Sequence, residues 1–292
     1  MKECKNMSFG FCIPKRLIAS VLAAIVLALT GCTAKPDAVI QEPQPTDQPE
    51  AIIEQTQPPQ NTQQPVGVQT PAVPKKEDAK LPAQGLFGRT ICVDAGHGKA
   101  SRSYQEPVAP GASEKKPAFV SGTAGKYMTE EEVNLIVAKK LEKRLTALGA
   151  KVVMTRTTSE TDKSNIDRAK MAKEAGAQLT IRLHADGIED KSVHGISMLV
   201  PTGTYIKDAG LLSDSKRAGE MILEHVIQET GAKNRGISRR SDMTGFNWSA
   251  TPVVLLEMGF MTNLEEETLL EDEAYQNKMV EGIVKGMEQY FS

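Results

Sequence analysis

From about residue 90 onward, short apolar runs alternate with longer stretches whose apolar residues recur every three or four positions. The runs Thr90–Val93, Lys151–Thr155, Leu179–His184, Ile196–Val200 and Pro252–Leu256 have the length and β-branched content of strands. Of these, Leu179–His184 alternates least cleanly. The stretches Thr129–Leu148, Ser164–Gly176, Asp208–Thr230 and Glu271–Tyr290 follow helical spacing. Strands separated by long helices predict a single α/β domain, a twisted and mostly parallel sheet with helices on both faces.

The start of the first helix is the most informative local pattern. Thr129 followed by Glu132 is a capping box, which sets Thr129 at the N-cap. Val133, Val137, Leu141, Leu145 and Leu148 then mark the buried face, and Glu130 shares it, three residues before Val133 and seven before Val137. Glu131 and Glu132 project elsewhere. An inward carboxylate is costly unless it meets a cation, a metal or strong donors; the alternative is a solvated carboxylate favoured by the helix dipole.

Upstream the pattern changes twice. Lys2, Lys5, Lys15 and Arg16 precede an apolar run from Leu17 to Leu29. At about 13 residues this run is short for a bilayer core of about 30 Å but suits a signal peptide. It leads into Thr30-Gly31-Cys32, which resembles the lipobox of bacterial lipoproteins, with cleavage before Cys32 and lipid on its sulfur. Residues 33–85 then hold ten of the chain's sixteen prolines and many glutamines, a composition that buries too little to fold and predicts a disordered tether. The expected organisation is a signal peptide at 1–31, a lipidated cysteine and tether at 32–85, and a folded domain at 86–292. The destination is extracytoplasmic, on a membrane reached through the lipid anchor.

Composition narrows the rest. Apolar content is 40%, charged 25% and aromatic 4%, and the formal charge is −2, which gives no reason to expect nucleic acid as a partner. Removing residues 1–31, with four basic groups and one acid, takes the charge to −5. Of the four cysteines, Cys4 and Cys12 leave with the signal, and Cys92 remains as a lone thiol that reads as a packing residue. A monomer is expected.

Three polar residues end strands. His97 follows the first in the turn Asp94-Ala95-Gly96-His97-Gly98, His184 closes Leu179–Leu183, and Glu257 closes Val253–Leu256. In an open α/β sheet, ligands bind beyond the carboxyl ends of strands. Each residue alone has a structural explanation, but two of only four histidines and one isolated carboxylate finish different strands of one sheet. Two imidazoles and a carboxylate make a hydrolytic Zn2+ site with a position left for water, a set that His97, Glu130 and His184 fit. Glu257 is then the unligated base, taking the water's proton and passing it to a departing amine.

These stretches resemble the zinc-dependent N-acetylmuramoyl-L-alanine amidases known as amidase_3. The resemblance rests on Ile91–Gly98, on Glu130 four before Asn134-Leu135, on Lys151–Arg156, on Ile181–Asp186 and on Pro252–Asn263, in the family's order over residues 88–292. It implies a six-stranded sheet, His97, Glu130 and His184 as zinc ligands, Glu257 as catalytic glutamate, and peptidoglycan as substrate. Residues 98–129 are longer than the corresponding stretch in many relatives, and can wall a substrate groove.

Further residues are weaker candidates. Arg235, Arg239 and Arg240 surround Gly236 in an expected loop, where an arginine fork can hold a peptide-stem carboxylate; Arg235 and Asn247 are taken as substrate-binding candidates. Trp248 either lines the pocket or anchors the core. Arg168 reads as a structural ion pair, and His194 and His225 as structural or surface residues. Two other functions stay open: a non-catalytic wall-binding lipoprotein, and a zinc peptidase acting on the peptide stem.

Overall fold

The computed structural model describes residues 85–292, so the expectations for Cys32, the signal peptide and the tether lie outside the described residues. In chain order the elements are β1 (Thr90–Ala95), the short strands β2 (Gln105–Pro107) and β3 (Lys115–Pro117), α1 (Glu130–Ala147), β4 (Lys151–Met154), α2 (Asn165–Glu174), β5 (Leu179–Asp186), β6 (Ile196–Pro201), α3 (Ala209–Thr230), β7 (Asn234–Arg240), α4 (Thr244–Asn247), β8 (Val253–Phe260), α5 (Leu264–Glu271) and α6 (Glu273–Phe291). Six strands form one sheet in the order β4-β1-β5-β8-β6-β7, and β2 pairs with β3 as a separate antiparallel hairpin. All neighbours in the large sheet are parallel except β6 against β8. The α/β domain with a mostly parallel six-stranded sheet is as expected.

Side-chain alternation decides what each face can do. Ile91, Val93 and Ala95 of β1, Leu179, Ile181, Leu183 and Ala185 of β5, and Val254, Leu256 and Met258 of β8 all join one apolar cluster with α1, α3 and α6. The intervening positions are Cys92 and Asp94, then Thr180, Arg182 and His184, then Val253, Leu255 and Glu257. They point to a face covered only by α2 and α4, which are ten and four residues long. One face is thick and apolar; the other is thin and carries charge. This is why Leu179–His184 alternates poorly as an amphipathic pattern: both of its faces are buried.

Four details differ from the sequence expectation. The segment around Gly236 is the edge strand β7, not a loop. Its polar, exposed sequence hides it, because an edge strand gains pairing on one side only and keeps charged side chains in water. The last helical stretch, expected over Glu271–Tyr290, is α6, which Asp272 caps by accepting from Tyr275 N at 2.7 Å, and a further helix, α5, precedes it over Leu264–Glu271. Residues 98–129 contain the β2–β3 hairpin. Strands β5 and β8 run past His184 and Glu257, continuing their pairing as Asp186 with Phe260 after a bulge. Bulges of this kind re-aim side chains beside sites. Cys92 is fully buried, and burial pushes its thiol up to about 12, as suits an inert packing residue. Among the described residues, no helix is long and apolar enough to cross a membrane.

Candidate metal centre

Glu130 is where helix phase placed it. The capping box forms, with Thr129 N donating to Glu132 Oε2 at 3.0 Å, and Glu130 in the first turn of α1 is 4% exposed. Its Oε2 accepts from Thr123 N at 2.8 Å and its Oε1 from Ala185 N at 3.1 Å. Asn134, one turn on and fully buried, reaches Glu130 Oε1 at 3.4 Å and Gly96 O at 3.3 Å. Burial alone would raise the Glu130 pKa; contact with the His184 and His97 rings outweighs it and holds the carboxyl below its ordinary range. Glu131 is also buried, but it faces Lys99 and Arg156 at 3.6 and 3.8 Å rather than the site.

His97 sits in a backbone conformation that side chains rarely adopt, φ 58°, a strain that persists only where its surroundings over-determine it. Its Nδ1–H donates to Val120 O at 2.8 Å, which leaves the Nε2 lone pair facing the cluster. Such a carbonyl partner is what fixes the tautomer of a ligating histidine. The preceding Gly96 has no alternative: a Cβ there would come within 2.5 Å of the His184 ring.

His184 extends from β5 on the thin face. Burial pushes its pKa down to about 4, so the ring is neutral at physiological pH. Its Nδ1 lies 3.0 Å from Glu130 Oε1 and 3.1 Å from His97 Nε2, and His97 Nε2 is 3.1 Å from Glu130 Oε1. His184 Nε2 is buried without a partner, so it can carry the ring proton and leave Nδ1 free.

Three donor atoms from three separate segments thus converge. Tetrahedral bonds of about 2.1 Å would set donors roughly 3.4 Å apart, a few tenths of an ångström beyond the distances found. The donor types, two imidazole nitrogens and one carboxylate, are those of hydrolytic zinc sites. The cluster fits a divalent ion. Among the described residues it is the single such grouping of three potential ligands.

Glu257 is paired in register with His184 on the neighbouring strand, on the same face and therefore about 5 Å away between backbones. It is half-buried. Desolvation first, then the charges of Glu130 and Asp186, push its carboxyl up to about 8.

Beneath the cluster lies a buried charge network that sequence reasoning reached only in part. Asp94, 1% exposed, accepts from Arg168 Nη1 at 2.8 Å, Arg182 Nε at 2.7 Å and Thr155 Oγ1 at 2.6 Å. Burial alone would raise its pKa; the two guanidinium groups and the hydroxyl overcome it and hold the carboxyl well below the carboxylate range. Arg168 Nη2 also donates to His97 O at 2.6 Å, and Arg156 donates to Ala95 O and Gly96 O. The network therefore grips the backbone of the strained turn that presents His97. Arg168 is the structural ion pair expected of it; the role of Arg182 had no periodic signal, because it occupies a strand position that normally reads as apolar.

His97 and His184 open into a groove of about 310 Å³ walled by the hairpin residues Lys116, Pro117 and Phe119 on one side and by Arg240, Asp242 and Met243 on the other. The long segment 98–129 does wall a groove. Two peripheral candidates lie elsewhere. Arg235 stacks over the Phe260 ring at 5.0 Å and donates to His194 O at 3.3 Å, outside the groove. Asn247 is buried, and its amide donates to Val108 O at 3.0 Å and Ser241 O at 2.8 Å. Trp248 Nε1 donates to Pro107 O at 2.9 Å. Asn247 and Trp248 thus dock the hairpin instead of lining the groove; one buried amide can satisfy both carbonyls, and no sequence pattern announces a partner about 140 residues away. His225 pairs with Gln289 at the surface.

Comparison with known proteins gives a consistent picture. Residues 91–289 match the sequence profile of Amidase_3, N-acetylmuramoyl-L-alanine amidase. The chain is 29% identical over 222 residues to the N-acetylmuramoyl-L-alanine amidase LytC of Bacillus subtilis, covering 76% of this chain and 39% of that protein. It is 30% identical over 208 residues to the probable cell wall amidase LytH of Staphylococcus aureus, covering 71% and 60% respectively. The chain therefore spans less than two thirds of the length of either. Among solved structures, the N-acetylmuramyl-L-alanine amidase Ami1 of Mycobacterium smegmatis superposes with a TM-score of 0.65 at 25% identity, over 71% of this chain and 98% of that one.

Proposed function

The chain belongs to the Amidase_3 family of N-acetylmuramoyl-L-alanine amidases, and on that premise we propose that it hydrolyses the amide between the lactyl group of N-acetylmuramic acid and L-alanine in peptidoglycan. His97, Glu130 and His184 hold a zinc ion and Glu257 is the general acid–base. The observation that carries this reading is the convergence of His97 Nε2, His184 Nδ1 and Glu130 Oε1 within 3.1 Å of one another, with Glu257 in register beside His184.

When bound, zinc polarises the scissile carbonyl and acidifies its water. The rest of the chemistry belongs to the chain. The buried turn and its arginines hold the donor atoms in place, so little reorganisation is needed when substrate arrives. Glu257 in its ionised form takes a proton from water and returns it to the alanine nitrogen, without which an amine leaves badly. Cys32 carries a lipid anchor and the protein works as a monomer outside the cytoplasm, in keeping with the cell-wall activity named for its relatives.

The test is digestion of purified cell wall by the full chain, with mass analysis of the products. The expected products are intact peptide stems with a free L-alanine amine; cleavage inside the stem would point to a peptidase, and binding without release to an inactive wall-binding protein. Chelation stops release and added zinc restores it. Glu257→Gln lowers turnover roughly 10³-fold while metal analysis still finds one ion; a folded, fully active variant would overturn the role of Glu257.

A further inference from the structure

One groove opens onto His97 and His184; a second, lined by none of the three ligands, lies beyond the segment 120–124, and the charge of the two differs. The segment 120–124 runs between them: Val120 lines the groove described above and Ala124 a second of about 830 Å³. Between these residues, Thr123 N donates to Glu130, and a Cβ on Gly122 would come within 2.6 Å of the Glu130 carboxylate. The first groove is lined by four cationic side chains, Lys116, Arg168, Arg182 and Arg240, against one carboxylate, Asp242. The second is lined by Lys126 and Lys191 against Glu265 and Glu267, an even balance.

The substrate has the same asymmetry about its scissile bond. On the acyl side lies a sugar whose lactyl carboxyl is consumed in the amide, so it bears no charge. On the amine side lies a peptide with free carboxylates. Resting on the hydrolase reading above, we propose that the cationic groove between the β2–β3 hairpin and the end of β7 is the peptide-stem subsite, and that Arg240 with Lys116 takes a stem carboxylate there.

Arg240 is built for that task. Asp242 accepts from its Nε and Nη2, both at 2.8 Å, which fixes the plane of the guanidinium. No hydrogen bond among the described residues uses its Nη1. Lys116 Nζ donates to Asp242 O at 2.6 Å from across the groove, so hairpin and strand end are joined where the two cations meet. Arg168 and Arg182 are spent on Asp94 and supply field, not contact. A fork preset by one carboxylate and still offering N–H groups to a second suits bidentate recognition.

The test uses the full chain and two synthetic N-acetylmuramoyl peptides, identical except that the stem carboxylates of one are amidated. Binding is measured by calorimetry and turnover by release of the L-alanine amine. Wild type prefers the free acid about tenfold. Arg240→Ala loses that preference and raises KM for the free acid about tenfold, with kcat within twofold; Lys116→Ala does so more weakly, and Arg240→Lys recovers part of it. A variant that keeps the wild-type preference, equal loss on both peptides, or a wild type that does not discriminate overturns the assignment. If the wild type discriminates in binding yet releases no amine, the hydrolase reading fails and the carboxylate subsite stands.

Discussion

The two faces of the central sheet are built to different rules. On the thick face, β1, β5 and β8 present Ile91, Val93, Ile181, Leu183, Val254 and Leu256 to α1, α3 and α6, each of them fully buried. These strand positions are all apolar, and burial at about 25 cal/mol per Å² of apolar surface does the stabilising. On the thin face the same strands present Asp94, Arg182, His184 and Glu257 under two short helices. That face is held by ion pairs whose desolvation offsets much of their attraction, and it leaves open the groove that the chemistry requires. The contrast shows that a sheet can carry costly polar groups on one side when the other side supplies an apolar core.

Breaking the thin face at its centre has the largest effect. Asp94→Asn keeps the shape but strips two buried guanidinium groups of their counter-charge, and costs about 3–5 kcal/mol in urea unfolding. Because the Asp94 pKa is lower folded than unfolded, its contribution is present above the unfolded value of about 3.9 and is lost as pH falls below it. The wild type loses stability below about pH 4 with a steepness the variant lacks; matching pH profiles would show that Asp94 holds nothing together. Next in size is Asn247→Ala, which orphans two carbonyls and loosens the hairpin, costing about 1–3 kcal/mol and raising hydrogen exchange in residues 105–117.

Glu257 has the opposite sign. Its pKa is raised to about 8, so the folded state holds its proton more tightly than the unfolded one, and stability falls as pH rises from about 4.3 to 8. In chelated protein, Glu257→Gln therefore raises Tm at pH 8 by roughly 3 °C but leaves it unchanged at pH 4; an equal Tm at both pH values would mean that the carboxylate is not confined. The smallest effect belongs outside both faces. Arg235→Ala changes stability by less than about 0.5 kcal/mol and leaves KM unaltered, whereas a raised KM would return Arg235 to the substrate.

Glu130 could be read from the sequence because helix phase is local: a capping box at Thr129 and apolar residues at Val133 and Val137 fix its direction without knowledge of the fold. His97, His184 and Glu257 were legible as strand ends, although pairing carries both strands further, through a bulge that no alternation pattern encodes. β7 was missed because its polar residues satisfy an edge position, and an exposed edge has no apolar signature. Arg235 and Arg240 look alike in the chain; only β7, with alternate side chains and a register against β6, sends one to Phe260 and the other to Asp242.

By itself the sequence determined what depends on neighbours within a turn or a strand: the α/β order, the direction of Glu130, and which residue types can hold a divalent ion. The tertiary structure decided what depends on segments meeting from far apart. It set which face of the sheet carries charge, that Asn247 docks the hairpin, and that the Val120 carbonyl orients His97. The physical reason is range: periodicity and capping act over one to four residues, whereas burial and charge pairing depend on partners that only the packed sheet brings together.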